Sequence, residues 1–310
     1  MYRFSAILPN YNMGSHIDAS LSCLLSQTHA YDEILIIDDG STDDSIVVIE
    51  RLIADKPNVR LVRNAHNKGV VATLNDGLTL VSGDYVHMTS ANDTYHPRFI
   101  EYAAAALATH PDMALLCGNA TFRYKETGES RDVFMHLPPQ PHYIPPEVFH
   151  AYLRESPLTF FGGGIIMRKQ AVREMKGLQE ALKWHADWML YYLLALEHGA
   201  YFIPEPLVNI EVSQDSYSNQ AMLWSKQREV IAALLTVLAR DYPGMQARWK
   251  SAALLPTYDI RVCSLLRLPS YRWYATPLLF WRLFVHSISY RLKYIFPRSL
   301  LIRLRPFFRV

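Results

Sequence analysis

The stretch from Gly83 to Pro97, G-D-Y-V-H-M-T-S-A-N-D-T-Y-H-P, constrains the chain more than any other. It opens on Tyr85-Val86, an aromatic and a β-branched residue that suit a buried strand, runs on through Met88 and Thr89, and breaks into Ser90-Ala91-Asn92-Asp93. In an open α/β sheet, ligands bind beyond the carboxyl ends of the parallel strands. An Asn-Asp pair delivered there is a candidate for holding a diphosphate or a metal, with Asp93 the stronger of the two. The same pair could instead start the next helix, because Asx residues cap helices and Pro97 fits a first turn. The stretch alone leaves both readings open.

Its neighbours supply the sheet. Residues 3–9 predict a short buried strand ending at Pro9-Asn10-Tyr11-Asn12, and 15–27 a helix with Ile17, Leu21, Leu24 and Leu25 on one face. A strand at 33–37 closes on Asp38-Asp39-Gly40-Ser41-Thr42-Asp43, where Gly40 suits a tight turn and Ser41 or Thr42 a helix cap. A strand at 59–62, Asn67-Lys68-Gly69, a helix over 70–80, the strand at 85–89, a helix over 98–109 and a strand at 113–117 continue the alternation. The pattern predicts an α/β fold, a mostly parallel sheet with helices on both faces. No G-x-G-x-x-G follows the first strand, which argues against a dinucleotide fold.

Beyond Asn119 the alternation weakens. Five prolines in 136–146 predict a surface loop or lid with no regular element. Gly162-Gly163-Gly164 permits close backbone approach over an expected strand in 160–167, and a helix from Trp184 to Glu197 begins with His185-Ala186-Asp187-Trp188. Asp187 could be a catalytic base or simply an acid stabilised in a helix's first turn, and His185 a base, a metal ligand or a surface residue. Cys23, Cys117 and Cys263 have unrelated spacings, so neither a disulfide framework nor a metal cluster is expected. With no secretory signal visible at the N-terminus, the expected location is cytoplasmic.

The order Leu8-Pro9-Asn10-Tyr11-Asn12, Ile36-Ile37-Asp38-Asp39-Gly40-Ser41-Thr42-Asp43, Asn67-Lys68-Gly69 with Asn75 and Gly77, Asn92-Asp93, then Asp187-Trp188, resembles the family 2 inverting glycosyltransferases of GT-A fold, a Rossmann-like architecture used in bacterial surface-glycan assembly. The resemblance spans roughly residues 1–220. It implies a nucleotide-sugar site in which Pro9, Tyr11 and Asn12 line the nucleoside pocket with the Tyr11 ring against the base. Asp39 hydrogen-bonds the base, Lys68 and Asn92 belong to the nucleotide site, Asp93 binds a divalent metal, Mn2+ or Mg2+, and Asp187 is the general base. Stacking on a flat ring and an imide N–H donated to a carboxylate are physically apt for those roles. Tyr11 as a core aromatic and Asp39 as a turn residue are the plainer alternatives. Relatives often carry acidic residues at Ser90 and Asn92 and a metal-binding His at Ser213, so this chain departs from the pattern around the metal.

Residues 221–310 are expected to form a helical C-terminal region. The net charge of +2 conceals an asymmetry, because residues 261–310 contain ten Lys or Arg and no Asp or Glu. Between Pro277 and Pro297 a helix is expected with a polar stripe of Arg282, His286, Ser289 and Lys293. With Arg282 at its centre it is a poor transmembrane span and reads as lying on an anionic membrane surface. Its apolar content speaks against nucleic acid as the partner. The expectation is a peripheral enzyme on the inner face of the cell membrane. It would move a sugar, UDP-linked in the donor, to a hydroxyl of a lipid-linked or polysaccharide acceptor such as lipopolysaccharide; a non-catalytic nucleotide-sugar-binding scaffold on the same fold is the alternative.

Overall fold

A computed structural model describes residues 2–213 and 223–295, with side chains through 288 in the last helix. The strands are β1 (Phe4–Asn10), β2 (Glu33–Asp38), β3 (Val59–Arg63), β4 (Tyr85–Met88), β5 (Thr94–Tyr95), β6 (Leu115–Tyr124), β7 (Ser130–Val133), β8 (His142–Ile144), β9 (Ile166–Arg168) and β10 (Ala200–Val212). The helices are α1 (Ile17–Leu25), α2 (Ser45–Ile53), α3 (Val70–Leu80), α4 (Phe99–Thr109), α5 (Pro146–Glu155), α6 (Lys169–Glu174), α7 (Ala186–His198), α8 (Trp224–Asp241), α9 (Gln246–Ser251), α10 (Val262–Leu266) and α11 (Pro277–Ile295). The chain divides into two compact units, one of Met1–Pro146, Thr159–Glu180 and Ala186–Ser216, the other of Glu147–Leu158, Ala181–His185 and Tyr217–Val310.

The first unit is built on one sheet of order β3-β2-β1-β4-β9-β6-β10-β5, with β7 beside β6 and β8 beside β10. The long ladders, β1 with β2 and β4, β2 with β3, and β6 with β10, are parallel, and the antiparallel ones are short. All six residues of β2 are buried. Side chains alternate between faces along a strand, so both faces there are covered, as an unbroken apolar run requires. Gly77 lets α3 lie close on β1, since a Cβ there would stand 2.5 Å from Ile7 Cγ2. Asn75 ties the same helix to the Leu178 backbone, donating to its carbonyl and accepting from its N–H.

Several local expectations change. Helix α4 starts at Phe99, with Arg98 at its N-cap position and β5 before it, so Asn92 and Asp93 do not cap it. Ser41 and Thr42 do not cap α2, which begins at Ser45; Ser41 Oγ accepts from Asn10 Nδ2 and the Asn12 N–H, and Thr42 N–H donates to Asn12 Oδ1. The proline-rich stretch does contain an element, β8, confined to the three residues between Pro141 and Pro145 and paired to β10. Prolines cannot donate to a ladder, and here they flank the strand.

The second unit is helical. Its core holds Trp249, Tyr274, Leu279, Leu283 and Arg282, the last only 2% exposed. The Arg282 guanidinium donates to the carbonyls of Ala252, Leu153 and Arg154 and to Tyr258 Oη. The outward polar stripe expected on α11 is therefore not formed at Arg282, because main-chain carbonyls of the unit claim its donors. The Ser289 and Lys293 side chains lie outside the described residues.

Candidate active site

At the carboxyl edge of the sheet, β1 and β2 end in register, Asn10 opposite Asp38. Asn10 Nδ2 donates to Asp38 Oδ1 at 2.7 Å, and the Asp39 N–H donates to Asn10 O at 2.8 Å. Pro9 is half-buried on β1, Tyr11 is 45% exposed just beyond it, and Asn12 turns the chain with φ 53. A tyrosine exposed at a sheet's ligand-binding edge offers a stacking face rather than core packing.

Asp39 is 3% exposed and accepts from Asn64 Nδ2 at 2.8 Å, Lys68 N–H at 3.0 Å and Gly69 N–H at 2.8 Å. Burial opposes its ionisation, but the Lys68, Asn64 and Gly69 donors outweigh that and hold its pKa below the usual carboxylate range. Asp39 thus organises the 64–69 loop, whatever else it contacts. Lys68 Nζ pairs with Asp76 Oδ2 at 2.9 Å on the surface.

The second cluster gathers around the glycine turn leading into β9. Gly163 has φ +80; a Cβ there would lie 3.6 Å from Asp93 Oδ2, and a Cβ on Gly162 would lie 3.1 Å from Asp187 Oδ2. Consecutive residues are 3.8 Å apart at Cα, so this one turn receives both carboxylates. Asp93, 7% exposed, follows β4 and accepts from the Glu211 N–H at 3.0 Å. Burial, against the Glu211 N–H and assisted by the Glu211 carboxylate, pushes its pKa up to about 7. Asp187, half-buried in the first turn of α7, accepts from Trp188 N–H at 2.7 Å, and burial raises its pKa. Asn92 Oδ1 takes the Ser90 hydroxyl.

A hard divalent cation takes oxygen ligands and commonly shares them with substrate phosphates. Asp93, a nearly buried carboxylate at the sheet's ligand-binding edge, fits one such ligand, and Glu211 supplies a second acid nearby. Among the described residues no group of three His, Cys, Asp or Glu side chains gathers to hold a metal. His185 lies in the second unit against Gln227, and burial lowers its pKa to about 4, so it is neutral.

One participant is absent from the sequence-based set. His87, fully buried in β4, contacts Tyr31 Oη through Nδ1 and the Gly163 carbonyl through Nε2 at 2.6 Å. Burial takes its pKa down to about 4. A neutral ring with Nε2–H donates to Gly163 O and anchors the turn between the carboxylates. The signal was a lone imidazole inside the apolar run Tyr85–Met88, which a buried strand tolerates only when both ring nitrogens are satisfied.

Residues 5–175 match the family model described as Glycosyl transferase family 2. The chain belongs to that family. Among the curated relatives of this family 2 glycosyltransferase, the Escherichia coli K12 "Uncharacterized glycosyltransferase YibD" is 34% identical over 128 residues, covering 41% of this chain and 37% of YibD. The chain therefore spans less than two thirds of that relative. The Bacillus subtilis 168 "Putative glycosyltransferase EpsE" is 24% identical over 233 residues, covering 74% of this chain and 80% of EpsE. Among solved structures, S. aureus TarS 1–349 in complex with UDP-GlcNAc superposes with TM-score 0.59 at 16% identity, covering 94% of this chain and 92% of that one. The mannosyltransferase PcManGT from Pyrobaculum calidifontis, in complex with GDP-Man and Mn2+, gives 0.57 at 17% identity, covering 93% and 86%. These likenesses establish the GT-A fold expected from the sequence.

Proposed function

We propose that this glycosyltransferase moves a sugar, with inversion, from a UDP-linked donor to a hydroxyl of a lipid-linked or polysaccharide acceptor. The observation that carries the reading is the pair of carboxylates, Asp93 and Asp187, both against one glycine turn at the carboxyl edge of a GT-A sheet. Tyr11 stacks on the base, with Pro9 and Asn12 lining its pocket and Asp39 accepting the imide N–H. Asn92 faces the diphosphate, Lys68 belongs to the nucleotide site, and Asp93 supplies the protein ligand to a divalent cation, Mn2+ or Mg2+. That cation, when bound, offsets charge on the leaving diphosphate. TarS bound to UDP-GlcNAc and PcManGT bound to GDP-Man with Mn2+ support a nucleotide-sugar donor and a divalent ion.

Asp187 takes the proton of the acceptor hydroxyl as its oxygen forms the new bond to the anomeric carbon. The bond from that carbon to the diphosphate breaks on the opposite side and its electron pair leaves with the nucleotide. A single displacement inverts the centre. The raised pKa of Asp187 makes it a stronger base than an ordinary carboxylate. The protein works on the inner face of the cell membrane, its basic C-terminal region toward anionic lipid.

Asp187→Asn should lower transfer by about 10²–10⁴-fold with UDP binding retained in calorimetry. A variant that turns over donor normally would remove Asp187 from the chemistry. Unchanged binding with no turnover in the wild type, across a panel of nucleotide sugars and acceptors, would instead favour a binding protein. The departures at Ser90, Asn92 and Ser213 are what would motivate that second reading.

A further inference from the structure

Among the described residues, the face of α11 that meets solvent is largely aromatic, with His286 also exposed. Phe280, Trp281 and Phe284 are 45%, 58% and 52% exposed. Phe284 lies four residues after Phe280 and three after Trp281, so both are its neighbours on the helix surface, with exposed Pro277 at the helix start and half-exposed Ile288 beyond. The Trp281 and Phe284 ring centroids are 6.3 Å apart. A lone exposed apolar residue is ordinary, but three neighbouring aromatics on one helix face form a contact patch. The inward face is Leu279, Arg282, Leu283 and Val285, so this helix does not meet its surroundings through Arg282.

The composition of this part of the chain selects the partner. Residues 261–310 carry ten Lys or Arg and no acid, and Arg267 and Arg272 are exposed on the segment leading into α11. A second protein would accommodate the aromatics but gives no reason for a stretch without carboxylates. Nucleic acid would accommodate the cations and not the rings. An anionic bilayer takes both, because Trp and Phe settle at headgroup depth while Arg meets lipid phosphate. Among the described residues no helix is long and apolar enough to cross a membrane.

We propose that Phe280, Trp281 and Phe284 insert into the headgroup region of an anionic bilayer, with α11 lying along the surface. The assignment rests on the membrane location proposed above and names the side chains that make it. The sequence pattern points to a polar stripe of Arg282, His286, Ser289 and Lys293; the structure buries Arg282 and exposes Phe280, Trp281 and Phe284 on this helix.

The test compares the full-length wild type with Phe280→Ser/Trp281→Ser/Phe284→Ser in sedimentation with phosphatidylcholine vesicles, with and without about one-third phosphatidylglycerol. Wild type should bind the anionic vesicles with a blue shift in tryptophan emission, and the triple variant should lose at least about tenfold in partitioning. Its melting temperature should not fall, since all three side chains already face solvent. Arg267→Gln/Arg272→Gln should weaken binding about fivefold per charge, and only to anionic vesicles. Equal binding by wild type and triple variant overturns the proposal, as does wild type that binds neither vesicle. So does a wild-type dimer that the triple substitution converts to monomer without any vesicle binding, which would assign the stripe to a second copy. Donor turnover without vesicles is read alongside. Vesicle binding with no turnover under any condition removes the transferase reading and leaves the membrane face standing.

Discussion

Gly162→Ala separates the chemistry of the glycine turn from its stability. The added methyl would sit 3.1 Å from Asp187 Oδ2, a few tenths of an ångström closer than relaxed contact, and Gly162 is not in the left-handed region, so alanine meets no backbone penalty there. Asp187 Oδ1 is held by Trp188 N–H at 2.7 Å, so the carboxylate yields by a small shift rather than a free swing. Misplacement of a reacting group by about 1 Å can cost about 10²-fold, and a few tenths should cost about 3–10-fold in kcat. Stability should hold or rise by about 0.4–1 kcal/mol, because alanine restricts the unfolded chain. The neighbouring Gly163→Ala is the contrast: at φ +80, with Val208 Cγ2 3.3 Å from the new methyl, it should lose about 1–2 kcal/mol. Urea melts and steady-state turnover measure both. An unchanged kcat in Gly162→Ala would place the reacting centre away from Asp187, and a stability loss as large as that of Gly163→Ala would refute the reasoning about backbone.

Ionised Asp187 is the proposed base and its pKa lies above the ordinary 3.8, so kcat/KM should rise with pH through a midpoint above 3.8 and vanish below it; a midpoint at or under 3.8 contradicts the assignment. Glu33 is buried, which opposes ionisation, but the Ser82 N–H, Arg60 and the Ser5 and Ser82 hydroxyls overcome this and hold its pKa at about 2. Because the folded value is depressed from 4.5, its contribution is full above pH 4.5 and fades as pH falls toward 2. Wild type should exceed Glu33→Gln by about 2–3 kcal/mol in neutral urea melts, allowing for solvent around Arg60, and the gap should close in acid. Arg282→Met leaves the Ala252 and Leu153 carbonyls without their donor and should cost about 2–4 kcal/mol. An unaltered melt would return Arg282 to the surface.

The parallel half of the sheet was legible because β1, β2 and β4 are apolar runs closed by polar turns, a pattern that local sequence carries. The need for small residues at 162–164 was also readable, but not which groups crowd them, since Asp93 and Asp187 reach the turn from 70 and 25 positions away along the chain by the numbering. Arg282 misled for a physical reason: periodicity assigns a cation to water, while its partners are main-chain carbonyls as far back as Leu153, which no pattern of side chains records. The β8 strand hid among prolines because a three-residue ladder at a sheet margin needs no propensity beyond its neighbour's free edge. Asp39 carried two meanings in the sequence, and its loop-holding bonds are now visible.

The three residues of β9 join β4 to β6 and so bridge two halves of the sheet made at different times. On a ribosome, Tyr85–Met88 emerges some eighty residues before Ile166–Arg168, so the β4 flank waits with its N–H and C=O groups unpaired throughout that interval. An open apolar flank of this kind recruits other nascent chains. Early termination anywhere before residue 166 therefore yields fragments predisposed to aggregate, and β9 closes the β4 flank before β10 arrives to pair with β6, β5 and β8.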